Sequence, residues 1–232
     1  MSRPRAHLGP LFIGGSIACF VAGMGLAMAA YPGGTWCDRG AMGHDFLHNF
    51  FCDLLHDVAL NGQASPLAAA SARLAMLALL AGVLVTYALA PRLFVGGPRA
   101  VPAGHAVRGF GSMCALGGVG VAFTPSNHHP TLHSVFVFVA TVPGLVALIA
   151  ASLALLRARA TRGVGALSTA AVLVGGVDAW LYARQLDGSH PCEVALPALE
   201  RVAAALLLAW MASVAWQLAR PAVSRAPQVP RA

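Results

Sequence analysis

Residues 8–30 read LGPLFIGGSIACFVAGMGLAMAA, an apolar run without one charged side chain. About 20 such residues in helical form cross the ~30 Å hydrocarbon layer of a bilayer. The run is continuous, where a barrel strand would alternate over about ten residues. It therefore predicts a transmembrane helix. Five more segments of the same kind follow it: Leu67 to Ala90, Val107 to Phe123, Thr131 to Leu156, Val164 to Tyr182 and Val194 to Leu218. The 232 residues are 58% hydrophobic and 10% charged, against about 25% charged in a soluble domain. Mean hydropathy is +0.71. The expected fold is an all-α, polytopic membrane helical bundle of six transmembrane helices, one domain over 1–220, with a disordered cytoplasmic tail at 221–232.

Charge sets the expected orientation. All 15 basic residues are Arg, so a retinal or pyridoxal Schiff base and the Lys of a phosphate-binding loop are excluded. The Arg residues are scattered between apolar segments and form no basic face, so nucleic acid is not an expected partner. With six spans, eleven of them (Arg3, Arg5, Arg92, Arg99, Arg108, Arg157, Arg159, Arg162, Arg220, Arg225, Arg231) share one side. That places both termini in the cytoplasm of a bacterial-type inner (plasma) membrane. Arg3, Arg5 and the small residues Ala27 to Ala29 also resemble a signal peptide. The run from Leu8 is longer than the usual core of about 7–15 residues, which favours a retained span.

The remaining polar groups gather on the opposite side. All eight acids and seven of the nine His fall there. The densest stretch is HDFLHNFFCDLLHD, His44 to Asp57. At 100° per residue His44, Asp45, His48, Asn49, Cys52, Asp53 and His56 share one half-circle and Phe46, Phe50, Phe51, Leu54 and Leu55 the other, an extra amphipathic helix in the first outer loop. It would lie on the outer leaflet, or tuck its polar arc into the bundle mouth. Its polar face lacks Lys, Arg, Glu and Gln and carries metal-ligand types instead. His129 precedes Pro130, which suits the first turn of the fourth span, and His133 lies one turn further in, where a neutral imidazole needs a partner or a metal.

Asp178 sits inside span five, where an acid requires a partner. Arg73 in span two, and Arg201 beside Glu200 in span six, are the available cations, for an ion pair or for a relay. Cys37 and Cys192 are placed to form a disulfide outside, leaving Cys52 free. The alternatives for function are two. One is a metal-dependent lipid hydrolase in which His48, His56, His129 and His133 hold a divalent ion, zinc first, and Asp53 or Asp57 serves as base. The other is a non-enzymatic transporter, a pH or metal sensor, or a partner subunit using the same polar cluster.

The residues Asn49, Phe50, Phe51, Cys52, Asp53, Leu54, then Asn61, Gly62 and Gln63, with Thr124, Pro125 and His133 before an apolar span, resemble the bacterial and archaeal membrane family known as domain of unknown function 998. Cys52 stands where that family usually has Ser, and Leu55 where Gly is common. The resemblance implies the same span count and marks Asp53 and His133 as functional positions. It implies no particular activity.

Overall fold

A computed structural model describes residues 7–186 and 195–220. Six long helices account for most of them: α1 (Leu8–Ala30), α2 (Pro66–Leu89), α3 (Ala100–Phe123), α4 (Pro130–Leu155), α5 (Arg162–Gln185) and α6 (Ala195–Ala219). Each is long and apolar enough to span a bilayer, and the chain is an integral, multi-pass membrane protein. The tail at 221–232 lies outside the described residues.

Helix starts follow local chemistry. Pro66 and Pro130 occupy the first positions of α2 and α4, where the missing N–H costs nothing and the fixed φ is already helical. The third helix begins seven residues earlier than the apolar pattern predicts, at Ala100 instead of Val107, because Pro102 is tolerated in a first turn.

Consecutive helices pack side by side and α6 closes on α1, with α2 also touching α6. The backbones of α3 and α4 come close together. A Cβ at Gly117 would stand 2.5 Å from the Ala140 nitrogen and 2.6 Å from the Val139 carbonyl carbon, so only Gly lets these backbones meet. Pro143 lies inside α4 and removes the N–H that the Val139 carbonyl would otherwise receive. Gly117 thus packs on the peptide whose helical bond Pro143 deletes.

The bundle has two unlike ends. One, here the terminal end, carries the starts of α1, α3 and α5 and the finishes of α2, α4 and α6. Its core is apolar: Ile13, Val83, Val107, Leu155, Trp210 and Met211 are buried together, and the rings of Tyr87 and Trp210 stand 5.3 Å apart. The other, the loop end, carries residues 31–65 and 124–129. Arg92, Arg99, Arg108, Arg157, Arg159, Arg162 and Arg220 sit at the terminal end, and every described acid sits at the loop end.

The segment 31–65 is folded into the mouth of the bundle. Leu54 and Leu55 are fully buried against Phe20, Met24 and Ala27 of α1 and Ala68 and Ala72 of α2. Gly33 and Gly34 take φ of 140° and 88°, and any Cβ at Gly34 would strike the backbone at Leu60 and Asn61, so both positions require Gly. The amphipathic helix expected over His44 to Asp57 is present only as a turn followed by a short 3₁₀ segment at Phe51–Leu55. The reason is local competition. Asp45 Oδ1 accepts the N–H groups of Leu47 and His48, and Asp53 Oδ2 accepts that of Phe50. Short acids that capture nearby N–H groups favour turns over helix.

The buried set mixes the two expected faces: Asn49, Asp53 and His56 are buried with Leu54 and Leu55, while Phe46, Leu47 and Val58 are exposed.

Candidate functional site

Asp53 is the centre of the buried polar network. Its Oδ1 accepts from Trp36 Nε1 at 3.0 Å, and Oδ2 accepts from Phe50 N at 2.8 Å and Asn49 Nδ2 at 3.2 Å. Asn49 Nδ2 also donates to the Gly34 carbonyl, and Asn49 Oδ1 accepts from Asp45 N. Burial lifts the Asp53 carboxyl to about 6 in spite of these donors, since removing a carboxylate from water outweighs three N–H bonds here.

Arg201 of α6 fastens the loop to the bundle. Its guanidinium donates to Glu200 Oε2 at 2.7 Å and to the Asn49 carbonyl. It also stacks 4.0 Å from the Phe51 ring and 5.3 Å from that of Phe46. Glu200 Oε2 in turn accepts the Phe51 N–H at 2.9 Å. Arg73 of α2 does a related job, donating to the Leu55 carbonyl at 3.0 Å. Both cations are therefore spent on the loop. Asp178 pairs with neither, and its Oδ1 is buried with no hydrogen-bond partner among the described residues.

Between the loop and α4, α5 and α6 lies a cavity of about 410 Å³. Its walls are mostly apolar, from Trp36, Phe50, Val137, Phe138, Leu186 and Leu196, with polar groups from Asp53, Asp178, Glu200, His133, Tyr182 and Ser126. Among the described residues no Arg lines it. His133 Nδ1 lies 2.7 Å from the Thr124 carbonyl, which can only accept, so a neutral ring carries its proton on Nδ1 and leaves Nε2 as an acceptor. Tyr182 Oη shares a hydrogen bond with Ser134 Oγ at 3.2 Å. Burial, and then the charges of Glu200, Asp53 and Asp178, push the Cys52 thiol up against the pull of Arg201. Cys52 is thus a neutral thiol and a poor nucleophile.

The residues expected to bind metal are divided. His133 lines the cavity, and His56 is fully buried behind it, its Nε2 2.8 Å from Ser126 Oγ. Burial, and next the His133 charge, lower His56 to about 4. His48 stays at the rim, its Nδ1 2.8 Å from Asp45. His129 precedes α4 on the exposed surface. Asp57 is exposed too, bonded to His128 at 2.8 Å and to Asn127 at 3.2 Å, and these two donors hold its carboxyl below the usual range. Among the described residues no three of His, Cys, Asp and Glu converge on a point that could hold an ion.

Cys37 is disulfide-bonded, while Cys19, Cys52 and Cys114 are free. Cys192 lies outside the described residues. The sequence reading missed Trp36, Ser126 and Tyr182, residue types too common to stand out alone and brought in by contacts distant in the chain. Against known proteins, no family model, no curated protein and no solved structure matches the chain.

Proposed function

We propose that this protein binds one small amphiphile bearing an ammonium group, in the cavity at its loop end, and that the loop end faces the non-cytoplasmic side of a bacterial-type plasma membrane. The apolar walls take the hydrocarbon part, and the carboxyl groups of Asp178 and Glu200 take the head. The carrying observation is Asp178, an acid with a buried, unpartnered oxygen on the wall of a cavity that no Arg lines. An intramembrane acid without a partner is costly and marks a functional position. An ammonium donor would satisfy it through a charge-assisted bond. An anionic head would meet three acids instead.

The excess of Arg at the terminal end supports the orientation. The packed terminal half, sealed by Tyr87 and Trp210, leaves a site approached from the loop end or from the bilayer, as in a receptor or one state of a transporter. A zinc-dependent hydrolase draws less support, because His48 and His129 stay at the rim and Asp57 is committed to His128.

Binding of hexylamine, hexanol and hexanoate to the purified protein in nanodiscs, measured by calorimetry, tests the reading. Hexylamine should bind most tightly. Asp178→Asn should weaken it about 10- to 100-fold, as expected for loss of a hydrogen bond to a charged group worth ~1.5–3 kcal/mol. Equal binding of the three compounds, or hexylamine binding unaffected by Asp178→Asn, would refute it.

A further inference from the structure

Ser126 and His56 are 70 residues apart in sequence, and neither is needed for the binding reading. His56 comes from the loop after α1 and Ser126 from the turn between α3 and α4. The fold brings Ser126 Oγ to 2.8 Å from His56 Nε2, within the reach that joins a nucleophile to its general base. Ser126 lines the cavity, while the imidazole of His56 is fully buried behind it. His56 Nδ1 makes no hydrogen bond among the described residues.

The turn that carries Ser126 supplies a further element. The Pro125 carbonyl accepts the N–H groups of His128 and His129, but those of Ser126 and Asn127 have no acceptor among the described residues. A free N–H on the residue after a nucleophile is the kind of donor that stabilises a developing oxyanion.

We propose that Ser126 is an acyl-accepting nucleophile with His56 as its general base, acting on an ester of the amphiphile held in the cavity. Ser126 Oγ bonds to the ester carbonyl carbon as its proton passes to His56 Nε2. The tetrahedral adduct then breaks its bond to the alcohol oxygen, which takes that proton and leaves as the alcohol. Water attacks the acyl-serine, giving a proton to His56. The carboxylic acid departs, and the proton returns to Ser126 Oγ. This proposal rests on the cavity as a binding site and not on its preference for amines.

His56 faces His133, Asp57, His128 and Arg39, and its burial keeps the ring neutral above about pH 5. The base is thus available throughout the neutral range, though weak.

Reaction of the protein in nanodiscs with hexyl fluorophosphonate, followed by intact mass and peptide mapping, tests the dyad. Ser126 Oγ should displace fluoride to give one phosphonyl adduct mapped to Ser126. Ser126→Ala should abolish it, and His56→Gln should slow it about 100-fold or more, the scale of general-base catalysis. If His56→Gln does not fold, the wild-type rate still reports the base: flat between pH 8 and 6, then falling toward pH 4. No adduct, an adduct on another residue, or a rate that rises in proportion to hydroxide would overturn the proposal. Hexylamine binding in the same preparation separates the two readings. Intact binding without an adduct removes the dyad alone, and an adduct without amine selectivity removes the ammonium preference alone.

Discussion

Replacing Arg201 by Leu should release the loop from the bundle. Wild-type Arg201 is 8% exposed, and its guanidinium has two charged or carbonyl acceptors and two aromatic faces. Each cation–π contact contributes ~0.5–2 kcal/mol depending on desolvation, and breaking a buried ion pair from one side costs ~3–5 kcal/mol. Glu200 keeps 24% side-chain exposure, so the lower part of that range applies. A loss of about 3–4 kcal/mol in loop docking follows.

Cys52 reports it, since it is a free, part-buried thiol of the loop on the cavity wall. With Cys19 and Cys114 changed to Ala, labelling of Cys52 by a maleimide measures loop opening. At tenfold per 1.4 kcal/mol, Arg201→Leu should accelerate labelling about 100- to 1,000-fold. Glu200→Gln with Arg201→Leu should recover part of the loss. The Gln carbonyl still accepts the Phe51 N–H, and no unpaired acid is left behind. Labelling at the wild-type rate in Arg201→Leu would refute the role of Arg201 as the loop's anchor. A double variant as labile as the sum of its parts would refute the pairing with Glu200.

Two further outcomes are expected. Burial, and next the Arg201 charge, hold His44 at about 4, against its ordinary 6.5. The unfolded chain therefore binds the proton first, and stability falls as pH drops from about 6.5 to about 4. His44→Gln should show a smaller acid loss than wild type in thermal unfolding over that window, by at most about 1.4 kcal/mol per pH unit, and an identical profile would contradict it. Gly117→Val forces a side chain against the Val139–Ala140 peptide and should cost at least the ~1–3 kcal/mol of an overpacked core. Its readout is a lower apparent melting temperature, and unchanged melting would show that the α3–α4 contact yields.

The bundle was legible in the sequence because a bilayer allows few solutions: continuous apolar runs between Arg-bearing connections leave little but helices. The ends were less so. The residues from Ala100 to Ala106 carry Pro102, Gly104 and His105 and read as a connection, yet they continue α3. The loop defeated periodicity for a physical reason. His44 to Asp57 has helical spacing, but Asp45 and Asp53 capture the N–H groups that a helix would use.

Site residues were legible where a polar group stood out against an apolar background. Asp53, His133, Asp178 and Glu200 all reach the cavity. Their pairing was not legible, because it depends on contacts across the chain. Arg201 reaches Asn49, 152 positions away, and so is unavailable to Asp178. His48 and His56, two turns apart on the expected helix face, separate to rim and interior once the helix is absent.

The ammonium-binding cavity is tested most directly by calorimetric titration of hexylamine into wild-type protein and into Asp178→Asn, each in nanodiscs, with hexanol as the uncharged control. Hexylamine should bind wild type more tightly than hexanol does, and Asp178→Asn should abolish this advantage while leaving hexanol binding unchanged. An advantage of the same size in both proteins would contradict it.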